Sequence, residues 1–163
     1  LFVEAFCTNR RSAEFVLGLN TLTFTSSATA PADVIALAAT IGNTGRVEVP
    51  TAGNQVGVFS VAVSNVGTSA SITVSADTGG QTITGIGSFE ICQTNPTTGA
   101  CLAGRAATQT LTINQNETAT FGIFVRGNGT AITNDPAQNR VFVRFNEGAT
   151  ARGATSVAVR TTP

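Results

Sequence analysis

The chain has 163 residues, 9 basic and 9 acidic side chains, a formal net charge of zero and a charged fraction of 11%, and it lacks His, Lys, Met, Trp and Tyr. That excludes a basic field able to gather nucleic acid or anionic lipid, and it excludes Ser–His and Cys–His nucleophile systems. No apolar run approaches the ~18 residues that a membrane span requires.

The length suits one domain, or one domain with an extension, and is enough to bury a core. Mean hydropathy is +0.21 and the isoelectric point is near 6.4. So few surface charges oppose self-association only weakly, and an assembly that covers part of the surface suits the composition. The chain begins at Leu1 rather than Met, leaving a removed presequence and a trimmed chain as alternatives.

In chain order, Phe2, Glu4 and Phe6 alternate with Leu1, Val3 and Ala5, a period-2 pattern that predicts a strand. Residues 12–19 are ambiguous: Ser12 can cap a short helix, but Gly18 weakens it. Leu22 and Phe24 alternate with Thr. Residues 26–31 form the best linker, which divides the chain into an N-terminal extension (1–30) and a domain (31–163). Residues 32–39 are Ala-rich and open to a helical reading after Pro31. The preferred reading is a strand, with residues 46–50 as its hairpin partner across the Gly/Asn turn at 40–45. Phe59, Val61 and Val63 alternate with Ser60, Ala62 and Ser64, and Asn65-Val66-Gly67-Thr68 then turns the chain. Ile72, Val74 and Ala76 make a second strand, closed by Asp77-Thr78-Gly79-Gly80.

Ile83 marks a short strand and Phe89 and Ile91 another. Leu111 and Ile113 lead to the Asn114-Gln115-Asn116-Glu117 turn, after which Phe121, Ile123 and Val125 return. Val141, Val143 and Phe145 precede a turn at Asn146-Glu147-Gly148, and Val157 and Val159 follow. Strands at this spacing, rich in β-branched residues and parted by Gly/Asn/Asp turns, predict an all-β antiparallel sandwich or barrel.

Cys92 and Cys101 flank a Pro- and Gly-containing turn. A disulfide across the neck of that loop is the preferred reading and implies an oxidising compartment; two buried small thiols are the alternative. Without His or a second Cys pair, zinc runs out of ligands. Cys7 is left over, either buried and inert or paired with another chain.

No cofactor motif is present. The glycines at 85 and 87 lack a phosphate loop's Lys-Ser/Thr ending, and the carboxylates are scattered rather than spaced as a calcium loop. Asn134-Asp135-Pro136 reads as an Asx-Pro turn before it reads as a cation site. Arg140, Phe142 and Arg144 share one strand face. They read either as an exposed sticky patch or as a solvated face paired with Asp135 or Glu147. Two sequons, at Asn116 and Asn128, fall in turns.

The run Val58-Phe59-Ser60-Val61-Ala62-Val63-Ser64-Asn65-Val66-Gly67 resembles the strand-and-turn signature of bacterial extracellular immunoglobulin-like repeats. So do Ile91-Cys92-Gln93-Thr94-Asn95-Pro96, Gly99-Ala100-Cys101-Leu102, Arg140-Val141-Phe142-Val143-Arg144-Phe145 and the closing residues 152–160. The resemblance covers about residues 32–163. It implies an immunoglobulin-like sandwich serving as a surface, adhesin or fibre module, with no catalytic residues to carry over.

The expectation is therefore a non-enzymatic, secreted or cell-surface structural protein with an N-terminal extension strand. Its partners are copies of itself, as a homo-oligomer or filament, or other surface proteins, and no cofactor or metal is expected. Leu1, Phe2, Val3, Phe6 and Cys7 are the candidate intermolecular contacts, through strand addition to a neighbour's open sheet edge. The alternative is a carbohydrate- or protein-binding sandwich module of a larger secreted protein.

Overall fold

In a computed structural model, the residues described are 8, 15–21, 24, 26, 28–51 and 55–162. Nine strands run in chain order: β1 Val34–Thr40, β2 Arg46–Pro50, β3 Val56–Asn65, β4 Ala70–Asp77, β5 Ile86–Thr94, β6 Thr108–Ile113, β7 Thr118–Gly127, β8 Arg140–Glu147 and β9 Thr150–Thr162. They build two sheets, one in the order β1-β3-β7-β5 and one in the order β2-β9-β8-β4-β6. The fold is an all-β sandwich.

The period-2 patterns decide which side of each strand is buried. Phe59, Val61 and Val63 of β3 face inwards, as do Ile72 and Val74 of β4 and Phe121, Ile123 and Val125 of β7. Val141, Val143 and Phe145 of β8 complete the opposite wall. Phe121 and Phe145 meet across the sandwich with ring centroids 6.0 Å apart and planes tilted by 58°, within the favourable range for aromatic pairs. Each such buried side chain contributes about 1.5–3 kcal/mol of transfer free energy.

Three expectations are corrected. Residues 46–50 are not the hairpin partner of 34–40. The turn at Ile41–Asn43 carries left-handed backbone at Gly42, Asn43 and Gly45, and it throws β2 onto the other sheet, where it runs parallel to β9. The Asn114–Glu117 turn likewise separates the sheets: β6 pairs β4 while β7 pairs β3 and β5. Ile83 is buried, but in an irregular segment rather than a strand. The physical reason is shared. An alternating strand buries one face equally well beside its sequence neighbour or across from it, so pattern alone does not choose.

Of the successive connections, only β8 to β9 keeps the chain in one sheet. Two of the crossings, β3 to β4 and β6 to β7, meet at Asn65, which is fully buried. Its Nδ2 donates to the carbonyls of Thr68 (2.7 Å) and Ile113 (2.9 Å), and its Oδ1 accepts from the N–H groups of Gly67 (3.1 Å) and Asp33 (3.2 Å). Its backbone N–H donates to Glu117 O (3.1 Å) and its carbonyl accepts from Asn116 N–H (2.7 Å). Beside it, Gly67 is forced by space, because a Cβ there would lie 2.2 Å from the Pro31 carbonyl oxygen.

Asn65→Ala is expected to cost about 2–4 kcal/mol, because it leaves several buried backbone groups without partners; the urea midpoint reads this directly. Asn65→Asp aims a buried carboxylate at two carbonyls, which raises its folded-state pKa. Its deficit relative to the native chain is expected to be largest at neutral pH and to shrink as pH falls, which parallel urea titrations at two pH values would reveal.

Candidate functional site

The charged side chains of the sandwich are mostly committed to staples between neighbouring strands. Glu48 of β2 lies opposite Arg160 of β9 in register, and Arg160 Nε donates to it at 3.0 Å. Arg144 pairs with Asp77, linking β8 to β4. Arg152 Nη2 lies 2.7 Å from Glu147, and Arg126 Nη2 lies 3.4 Å from Glu90. Asp135 closes an Asx turn by accepting the N–H groups of Ala137 (3.1 Å) and Gln138 (3.3 Å), and Asn134 Oδ1 accepts from Arg46 (3.2 Å). Among the described residues, no three metal-capable side chains cluster.

The Arg140–Phe142–Arg144 face is real but is not an exposed patch. Phe142 is only 8% exposed, lying under Gly79 and with the Arg144 guanidinium 5.4 Å from its ring centroid. Neither Asp135 nor Glu147 is the partner of these arginines. Arg140 Nη2 donates to Ser156 Oγ (2.8 Å) and its Nη1 to the Pro136 carbonyl (3.0 Å), and burial lowers its pKa from the usual guanidinium value. The sequon residue Asn128 is held by its side chain, which takes the Thr130 N–H at 3.0 Å; Asn116 is exposed with left-handed backbone.

Cys92 and Cys101 form a disulfide with Cα atoms 5.6 Å apart. Cys92 is fully buried and Cys101 exposed. The loop that the bond closes folds back on β5. Asn95 donates its N–H to Ala100 O (2.8 Å) and Leu102 donates to Gln93 O (2.9 Å), while Ile91 and Ala106 exchange a pair of backbone bonds at 2.7 and 3.0 Å. The outer edge of β5 is thereby paired at Ile91 and Gln93. Beyond the bonded loop, Arg105 places its guanidinium 3.6 Å from the centroid of the outward-facing Phe124. Arg105 thus covers Phe124 on the outer face of this sheet.

At the β1 side the same face is exposed. On the outer side of β1, Ile35 is 53% and Leu37 70% exposed, and Val58 of β3 is 38% exposed. Ala39, Ser60 and Ala62 fill the surface between them, with Leu37 opposite Ala62 and Ala39 opposite Ser60. No ionisable residue stands on this outer register of β1 and β3.

The edge of β1 is also open. Asp33 accepts from Val66 N–H (2.8 Å), so the backbone groups of 33, 35, 37 and 39 aim at β3 and those of Val34, Ala36 and Ala38 aim the other way. Val34 O points at Gly153 of β9, where a Cβ would lie 2.3 Å away. Among the described residues, Ala36 and Ala38 have no backbone partner on that side. A cleft of about 530 Å³ opens here between β1 and the start of β9, lined by Pro31, Val34, Ala36, Val66, Ala151 and Arg152 among others. The turn at residues 16–20 sits at its mouth, with Gly18 O accepting Ala154 N–H at 2.9 Å.

Sequence reasoning missed this surface, although a signal was present. Val34-Ile35-Ala36-Leu37-Ala38-Ala39 is apolar in both registers, whereas β3 alternates with Ser. A strand apolar on both faces needs cover on both. The candidate contacts Leu1, Phe2, Val3, Phe6 and Cys7 lie outside the described residues.

No protein-family model matches the sequence, and no curated protein matches it either. Among solved structures, the chain is similar to a beta-glucosidase from Listeria innocua, in complexes with gluconolactone and with isofagomine. Both superpose with a TM-score of 0.34 at 8% identity, covering 79% and 80% of this chain and 16% of that chain. At that score the likeness carries no argument about this protein's work.

Reducing the disulfide is expected to lower stability by roughly 2–3 kcal/mol, from the loop entropy returned to the unfolded chain. It is also expected to free the loop from β5 and uncover Phe124. A drop in urea midpoint together with increased binding of an apolar dye, both absent in a control without reductant, checks this.

Proposed function

We propose that this protein is a non-catalytic structural module of the cell surface or extracellular space, a subunit of a filament or adhesin that assembles through sheet-edge and apolar contacts. The observation that carries the reading is the pairing of an open edge at β1 with a bare, uncharged outer face on the same sheet. An unprotected edge is a template for pairing with another chain, and monomeric proteins usually blunt such edges with Lys, Pro, a bulge or a covering loop. This chain does so at β5, with a disulfide-held loop, and leaves β1 unprotected. The disulfide fits an oxidising compartment. The commitment of the charged groups to strand staples also supports a scaffold role. The resemblance to immunoglobulin-like surface repeats points the same way.

A second reading, a ligand-binding sandwich module, draws on the cleft of about 530 Å³, a volume in the range of small-molecule sites. Its described lining is mostly apolar, with Thr21, Asp33 and Arg152 as the polar side chains and Arg152 engaged by Glu147. Saturable binding on a glycan array at micromolar protein would favour this reading over assembly.

Sedimentation across a concentration series, with electron microscopy of the concentrated protein, tests the first reading. Concentration-dependent oligomers or filaments are expected. Leu37→Lys puts a charge at the centre of the bare face and is expected to weaken association by at least about tenfold, while its thermal midpoint stays close to native. A native chain that remains monomeric at every concentration sinks the proposal.

A further inference from the structure

The open edge of β1 has a specific shape of vacancy. It presents the N–H and C=O groups of Ala36 and Ala38, flanked by an apolar outer face (Ile35, Leu37) and by a cleft against β9. What fits is an extended, uncharged or nearly uncharged segment, apolar toward the cleft and able to pair by backbone. The sequence holds such a segment outside the described residues. Leu1–Cys7 is as long as β1, 7 residues, and alternates with period 2. Its one carboxylate, Glu4, shares a register with Phe2 and Phe6. Laid as a strand, it can turn Leu1, Val3, Ala5 and Cys7 toward the cleft and leave Glu4 in water.

Resting on the assembly reading, we infer that the edge of β1 accepts residues Leu1–Cys7 of a second copy as an added strand. The donor is a second copy because the apolar face beside this edge, with Ile35 and Leu37 exposed, is the surface that the assembly reading gives to a neighbour. With Cys92 and Cys101 paired to each other, Cys7 is the thiol left to report on the contact.

The test uses two full-length chains of distinguishable mass. The donor is the native chain. The acceptor carries Cys7→Ser together with Ala36→Cys or, in a second version, Ala38→Cys. Both alanines lie half-buried on the inward register of β1, and Ala36 lines the cleft. A control acceptor carries Cys7→Ser and Thr112→Cys, an exposed position on β6 in the other sheet. The chains are mixed at an associating concentration, oxidised mildly and run without reductant, after circular dichroism shows that each acceptor is folded. The expected result is a donor–acceptor disulfide enriched about tenfold over the control in at least one version. Association without enrichment in either version overturns this inference and leaves the assembly reading standing. A chain that carries both Cys7 and Ala36→Cys and cross-links only within the monomer overturns the second-copy assignment. Absence of any association overturns both.

Discussion

The sandwich depends on the side chain of one buried amide. Two sheets that exchange the chain at nearly every connection accumulate backbone groups at the crossings that no ladder can pair, and each left alone in the interior costs free energy comparable to a lost hydrogen bond. Asn65 resolves this at the end of β3. Its two donors and two acceptors are all used, on the segment before β1, on the turn into β4 and on the end of β6. Its own backbone groups bind the turn into β7. Asn is suited because it carries donors and acceptors on one short planar group without charge. A Ser would reach fewer partners and an Asp would meet two carbonyls with a third negative oxygen. By tying the segment before β1 to β3 and to the turn after it, this network also sets where β1 lies, and hence where the open edge is presented.

The electrostatics follow the same economy. Glu48–Arg160, Asp77–Arg144, Glu147–Arg152 and Glu90–Arg126 each join adjacent strands. These pairs are partly exposed, so each adds little stability; their effect is to neutralise the polar faces of the sheets locally. Arg105 and Arg140 are held by a ring and by oxygen acceptors respectively. Among the described residues the charges are thus mostly neutralised locally, which leaves the molecule little long-range field. The asymmetry between the two edges of the four-stranded sheet then gives it direction. One edge is sealed by a covalently closed loop and the other is left available. A module with one closed and one open edge on that sheet can extend it from only one side, which limits the uncontrolled stacking that open edges invite.

Much of this was legible in the residues. The alternation in β3, β4, β7 and β8 identifies the strands and their buried faces, because side chains on a pleated strand alternate strictly and the core takes one set. Cys92 and Cys101 across a Pro/Gly turn were readable as a bridge because few residues separate them. The strand reading of Ala32–Ala39 over a helix also agrees with the structure. Illegible were the crossings after Thr40 and Ile113, the parallel pairing of β2 with β9, and the cover over Phe142. Each depends on a partner far away in sequence: Arg160 for Glu48, Asp77 for Arg144, Gly79 for Phe142. The bare face of β1 was half legible, since a strand apolar in both registers announces a need for cover without naming what supplies it.

The sequence by itself determined the element type, the buried face of each strand and the poverty of chemical side chains, because these are local properties of residue identity and spacing. Only the tertiary structure decided which strands are neighbours, that Asn65 is interior rather than a surface turn residue, and that β1 rather than β5 is the open edge. Those outcomes are fixed by the competition among long-range packings and by the need to pair every buried polar group. A period-2 pattern is indifferent to both.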